Sequence, residues 1–193
     1  MPTNTSTSRR HRPPRVHVEV CFDPDDDLAV TRGVHARCRP GSGRIALAPG
    51  ADTGTEVHLM LHLLCALSVL WRIPRRLHSG RALIAGDDLA AVRWEISWAL
   101  HRAGVTELWV LRAEHVGYLG WMWLREIAED EQLRLVLLTR GRPPNARQVA
   151  ALRGCCWHHL NPDRLRPGGG GEIRRRHGGS VGEASCRGFT RRW

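Results

Sequence analysis

The chain has 193 residues, 42% of them hydrophobic, which suits one domain with a packed core. Its net charge of +10 comes from the ends: residues 1–15 carry four Arg and no acid, and residues 164–193 carry eight Arg and two Glu. We therefore predict a basic disordered leader over 1–15, one folded domain over 16–163 and a Gly- and Arg-rich disordered tail over 164–193. A folded nucleic-acid-binding domain usually has its own basic face, so the neutral central part disfavours that class.

Cysteine spacing and hydropathy exclude further classes. The six Cys form no C-x-x-C pair, and the Ser- and Arg-rich start lacks the apolar segment of a secretory signal, so we expect no disulfide framework and no metal site. The longest apolar stretch, 57–71, is interrupted by His58 and His62 and is too short and too polar to span a bilayer. Within it, Cys65 is predicted to be a buried, inert thiol. We expect a cytoplasmic protein that does not associate with membranes.

The first third of the chain predicts strands around a Gly-containing loop. Alternating Val residues predict a strand over 16–21, which we expect to add to one edge of the sheet. An acidic turn over 23–27 and an extended segment over 28–37 follow. Residues 44–48 predict a second strand, which runs into the loop 49–54 and then Thr55, a residue that can cap a helix.

The middle of the chain predicts two helices. The first follows Thr55, is apolar nearly all round and ends before Pro74. A short strand is predicted over 82–85. Asp87 or Asp88 then caps a second helix, which Gly104 ends.

The last third predicts an alternation of buried strands and helices. Continuous apolar runs over 108–111 and 133–138 are typical of strands buried on both faces, and a last strand is predicted over 155–160. Helices are predicted over 119–130 and 146–152. This order predicts an α/β fold of three layers, with a mostly parallel sheet of about five strands and helices on both faces.

The order of elements over about 43–162 resembles a P-loop NTPase of the AAA kind, closest to the helper ATPases of transposition systems. In that family a strand leads into a Gly-rich phosphate loop and a long helix. The corresponding loop would be Pro49 to Glu56, with Gly50 and Gly54 as its glycines. Thr55 stands where the family has Lys, and Glu56 stands at the Ser or Thr position. The phosphate chemistry needs that ammonium and that hydroxyl.

The second family motif corresponds to Leu108 to His115. Arg112 and Ala113 stand where the family has the Asp and Glu that hold magnesium and polarise water, and Glu114 comes one position later. Thr139 stands at the position of the sensor residue that follows the next strand. With no Lys anywhere in the chain, the resemblance implies a phosphate loop without its ammonium and a magnesium site without its carboxylates.

The resemblance therefore implies a degenerate nucleotide site made of Gly50, Gly54, Thr55, Glu114 and Thr139, with no catalytic residue and no expected cofactor. We interpret the domain as a non-catalytic interaction or regulatory module from a mobile element or its remnant, with another protein as its partner. The eight Trp predict core packing or a partner-binding surface. Two other hypotheses stay open. The chain could be an active helper ATPase that binds ATP and magnesium through atypical motifs, or a nucleic-acid-associated protein that uses its Arg-rich tails.

Overall fold

The structure, a computed structural model, describes residues 16–51, 55–70 and 89–167. Its sheet has five strands, all paired in parallel, in the order β2-β3-β4-β1-β5. The strands are β1 (His17–Asp23), β2 (Arg44–Leu47), β3 (Glu107–Val110), β4 (Arg134–Arg140) and β5 (Cys156–Leu160). The described helices are α1 (Leu28–Arg37), α2 (Glu56–Leu70), α3 (Leu89–Arg102), α4 (Tyr118–Asp130) and α5 (Ala146–Ala151). The predicted α/β fold with a parallel sheet is confirmed.

Two separate apolar clusters lie on opposite faces of this sheet. The larger contains buried side chains of α2, α3, α4 and α5, packed against residues such as Val18, Leu108 and Leu135. The smaller contains Val30 and Val34 of α1, with buried side chains from the opposite face of the same strands. Helices therefore cover both faces, in agreement with the predicted three layers. The predicted strand over 82–85, the helix end before Pro74 and the caps at Asp87 and Asp88 lie outside the described residues.

Strand β1 lies inside the sheet, so its predicted edge position was wrong. It pairs with β4 on one side and with β5 on the other. Its alternating pattern has another cause: Val18 and Val20 are buried in the larger cluster, whereas His17 and Glu19 face the other side of the sheet at the amino end of the strand, where His17 is exposed. Glu19 is ion-paired there with Arg134 of the neighbouring strand, at 2.6 Å.

The predicted extended segment over 28–37 is helix α1, a second correction. Asp27 caps the helix, since its side chain accepts a hydrogen bond from the Ala29 backbone N–H. Val30 and Val34, four residues apart, face the core together. The β-branched Val residues favour strands, but the cap and the four-residue spacing decide the local structure here.

Alternating charges cross the amino end of the sheet on the α1 side. Arg44 contacts Glu107 at 3.2 Å, and Glu107 and Glu19 both pair with Arg134. Burial works against the charge of Arg134, but its hydrogen bonds and ion pairs with these two Glu residues outweigh that effect and raise its pKa. The pairs join β2, β3, β4 and β1 in one register, which favours this strand alignment over shifted ones.

Helix α2 buries one side and exposes the other within its described part. Leu59, Met60 and Leu63 are buried, whereas Cys65 is exposed, so the prediction of a buried thiol at Cys65 was wrong. Two helix boundaries agree with the sequence: Gly104, with φ of 62°, follows α3, and Asn145 and Gln148 form a capping box at the start of α5. No helix among the described residues has both the length and the apolarity needed to cross a membrane.

Replacing Gly33 with Ala should destabilise the fold. A Cβ atom on Gly33 would lie far inside contact distance of the Leu165 carbonyl oxygen, which is backbone and cannot rotate away. We expect the Gly33→Ala variant to lose about 1–3 kcal/mol of unfolding free energy in urea denaturation, the usual range for overpacking. Gly120→Ala is the comparison variant: its Cβ would meet buried side-chain atoms of Val116 and Leu59 at 2.5 and 2.6 Å, which must shift but are not backbone, so we expect a smaller loss. Equal stability of Gly33→Ala and the unmodified chain would contradict the described packing of α1.

Candidate functional site

The chain reverses its direction of travel across the sheet between β1 and β4. From β1 it runs through α1 to β2, towards one edge, whereas from β4 it runs through α5 to β5, towards the other. Helices α1 and α5 accordingly contribute to clusters on opposite faces. In open parallel sheets, ligands bind beside the carboxyl ends of the strands at such a switch point. The loops after β1 and β4 are therefore the candidate site.

The turn after β1 directs its own carboxylates at the start of α1. Asp23, the buried last residue of β1, accepts a hydrogen bond from the Asp27 backbone N–H at 2.8 Å. Asp27 in turn accepts from the Ala29 N–H at 2.7 Å and pairs with Arg166 at 3.0 Å. These carboxylates occupy backbone donors that a bound anion at a helix N-terminus would use.

Arg140, the last residue of β4, lies at the centre of the switch point and is only 8% exposed. Its Nη1 lies 2.6 Å from Oδ1 of Asp26, and its Nη2 donates to the Thr31 hydroxyl. Its Nε is buried without a hydrogen-bond partner. The guanidinium therefore joins the end of β4 to the turn after β1 and to helix α1.

Glu114 approaches the same strand end from the other side. It lies in a 3₁₀ turn, Ala113–His115, which follows β3 and begins after Arg112, a residue in the left-handed region with φ of 54°. The Glu114 Oε2 accepts a hydrogen bond from the Arg140 backbone N–H at 3.1 Å. Buried Gln148 of α5 supports this turn, because its Nε2 donates to the Val116 carbonyl at 2.8 Å.

The structure brings two of the five predicted site residues together. Thr139 immediately precedes Arg140, is fully buried, and its hydroxyl makes a long 3.5 Å hydrogen bond to the Cys21 carbonyl. The Glu114 carboxylate contacts the backbone N–H of Arg140. Both therefore lie at the carboxyl end of β4.

Of the other three predicted site residues, the two that the structure describes lie near β2, at the edge of the sheet. Gly50 is exposed and follows β2, Gly54 lies outside the described residues, and Thr55 is exposed. Strand β3 separates β2 from β4, so the two strand ends lie about 10 Å apart at normal strand spacing. The Thr55 hydroxyl accepts a hydrogen bond from the His58 N–H at 3.4 Å, which is consistent with its predicted role as a cap.

Glu56, at the start of α2, is paired with a cation of this chain. It lies 2.5 Å from the Arg93 guanidinium of α3. That hydrogen bond raises the pKa of Arg93, against a smaller opposing effect of burial. Glu56 therefore holds α2 and α3 together.

Sequence patterns missed the residues at the switch point itself. Asp25, Asp26 and Asp27 are predicted as turn and capping residues, which the cap at Asp27 confirms, but the pairing of Asp26 with Arg140 joins positions 114 residues apart. No pattern in the turn after β1 or in β4 predicts this ion pair. Among residues 16–51, 55–70 and 89–167, no group of three or more His, Cys, Asp or Glu side chains could hold a metal ion.

Comparison with known proteins gives no assignment, since neither a family model nor a curated protein matches the chain. The resemblance to P-loop ATPases therefore stays a prediction.

Replacing Asp26 with Asn should cost stability, because it leaves the Arg140 guanidinium buried without its carboxylate. Asp26 is half-exposed and its φ is 49°, a conformation that Asn tolerates, so the change removes charge without adding backbone strain. We expect a loss of about 1–2 kcal/mol of unfolding free energy, less than for a fully buried pair. Asp25→Asn is the matched control: Asp25 is exposed, next in sequence and in no ion pair within the described part of the chain. Equal effects of the two substitutions in urea denaturation would contradict a specific role for Asp26.

Proposed function

We propose that this chain is a non-catalytic, ATPase-like α/β domain that acts as an interaction or regulatory module. The observation that carries the proposal is the pairing of the switch-point residues with one another. Asp26 pairs with Nη1 of the Arg140 guanidinium, and the Asp27 side chain accepts from the Ala29 N–H in the first turn of α1. The position where a parallel sheet normally receives an anionic ligand is therefore filled by carboxylates of the protein itself.

The charges near both helix starts support the same conclusion. The turn before α1 carries four Asp, of which Asp25 is exposed and in no ion pair among the described residues. The start of α2 carries Glu56, already paired with Arg93. Phosphoryl transfer depends mainly on cations and positioned donors around the phosphates, and the chain has no Lys to supply the ammonium.

Glu114 has a structural role that competes with catalysis. A carboxylate that polarises an attacking water must have a free oxygen directed at that water. One Glu114 oxygen accepts from the Arg140 backbone, and the other lies 3.7 Å from His115 Nε2. These contacts favour a role for Glu114 in holding the 3₁₀ turn to β4.

A fluorescent ATP analogue tests the proposal. We expect no saturable binding with magnesium at concentrations up to about 1 mM, equivalent to a binding free energy weaker than about −4 kcal/mol. The measurement is a fluorescence-anisotropy titration of the full chain, with circular dichroism to confirm that the sample is folded.

Two outcomes would oppose the proposal. The first is micromolar affinity for the analogue. The second is ATP turnover that Glu114→Gln abolishes while Glu129→Gln, a control on the exposed side of α4, leaves it unchanged.

A further inference from the structure

A groove lies between helix α5 and strand β5, on the opposite side of β4 and β1 from the β2 loop. Its volume is about 390 Å³, within the usual range for ligand pockets of about 300–1,000 Å³. The lining is mostly apolar. It comes from the connection before α5, from α5 and the residue after it, and from the half-buried ring of Trp157 in β5, namely Pro144, Ala146, Val149, Ala150, Leu152 and Trp157. An apolar concavity of this size accommodates one bulky side chain.

One arginine without an acidic partner among the described residues lines this groove, and the chain segment that forms it carries two more. Arg153 lines it directly, and Arg142 and Arg147 lie on the same short segment. All three are exposed, and within the described part of the chain none of their guanidinium groups takes part in an ion pair. Residues 141–162 contain no Asp or Glu. Arg44, Arg93, Arg134 and Arg140 are each paired with a carboxylate, whereas exposed Arg39 is, like Arg153, in no ion pair among the described residues.

We propose that this groove binds an acidic peptide segment of a partner protein through one large apolar side chain. The apolar side chain would pack against Val149 and Trp157, and a carboxylate beside it would pair with Arg153, the charged residue of the lining. Trp and Arg are the residue types most enriched where protein interfaces have their binding energy. The inference rests on the proposed function, since it gives the interaction module a surface and a partner chemistry.

Charge selects this occupant over the others. A second copy docked through the same face would bring the same unpaired Arg residues against the groove. The chain's own residues 168–193 carry six Arg against two Glu, so as an occupant they would also bring mostly positive charge. Single-stranded nucleic acid would supply phosphates, but it binds through successive aromatic platforms, whereas this groove has a single aromatic ring, Trp157.

Synthetic peptides test the proposal on the full chain. The probes are fluorescein-labelled 12-residue peptides with a central Trp or Leu flanked by Asp and Glu, matched peptides with Lys at every acidic position, and a 20-nucleotide single-stranded DNA. In fluorescence anisotropy, the acidic peptides should bind at least about tenfold more tightly than the Lys-matched peptides, a difference of about 1.4 kcal/mol.

The Arg153→Glu variant should weaken the binding of the acidic peptides about tenfold. The Ala150→Leu variant, which fills the groove, should weaken it without changing any charge. Arg39→Glu is the matched control, an exposed Arg in the connection before β2, and should change affinity less than about twofold.

Four results would overturn the inference. Two concern the peptides: the chain could show no preference for the acidic ones, or Arg153→Glu could leave their affinity unchanged. The other two point to another occupant: Arg153→Glu weakens DNA binding while no peptide binds, or it dissociates a dimer seen in light scattering. The nucleotide titration is independent of these results. ATP binding would contradict the proposed function but would not change the effect of Arg153→Glu on peptide affinity. Failure of the peptides to bind would not change the result of the nucleotide titration.

Discussion

The buried guanidinium of Arg140 constrains everything at the carboxyl end of the sheet. An unpaired cation in that position would cost several kcal/mol, so the surrounding chain must supply acceptors. Asp26 does so from a turn whose backbone enters the left-handed region, and Thr31 does so from the first turns of α1. The Arg140 backbone N–H also holds Glu114. One residue therefore connects the ends of β1, β3 and β4, and the start of α1 cannot move without disturbing it.

The same pairing supports the proposal of a domain without a phosphate site. A phosphate site needs cations and N–H donors that remain unsatisfied until the ligand arrives. In this fold the Asp27 and Ala29 N–H groups are satisfied in advance by Asp23 and Asp27, and Asp26 pairs with Arg140, whose Nε has no partner among the described residues. An incoming anion would have to displace a carboxylate that is covalently tethered and therefore present at high effective concentration. This competition is the physical reason for proposing that the carboxyl edge of the sheet does not bind a phosphate.

The sequence predicts elements that depend on residues close together in the chain. It does not predict features that depend on contacts between distant segments. The apolar runs over 108–111 and 133–138 predicted β3 and β4 because strands buried on both faces need such side chains. Helix α1 was missed because its Val residues favour strands, and the helix depends on the Asp27 cap and on contacts with distant elements. Glu114 and Thr139 could be placed at strand ends from their neighbours alone. The interior position of β1 and the pairing of Arg140 with Asp26 arise from strand order, which no local pattern encodes.

Helix α5 serves both the switch point and the groove. Its buried Gln148 donates to carbonyls of the turn that carries Glu114, while the next two residues, Val149 and Ala150, line the groove beside β5. The helix has only six residues, and its capping box joins Gln148 to Asn145. A side chain packed into the groove would therefore press on the same short element that positions Glu114 beside Arg140. The proposed peptide contact and the turn that carries Glu114 thus share one support, because close packing leaves so short a helix little room to shift without displacing its neighbours.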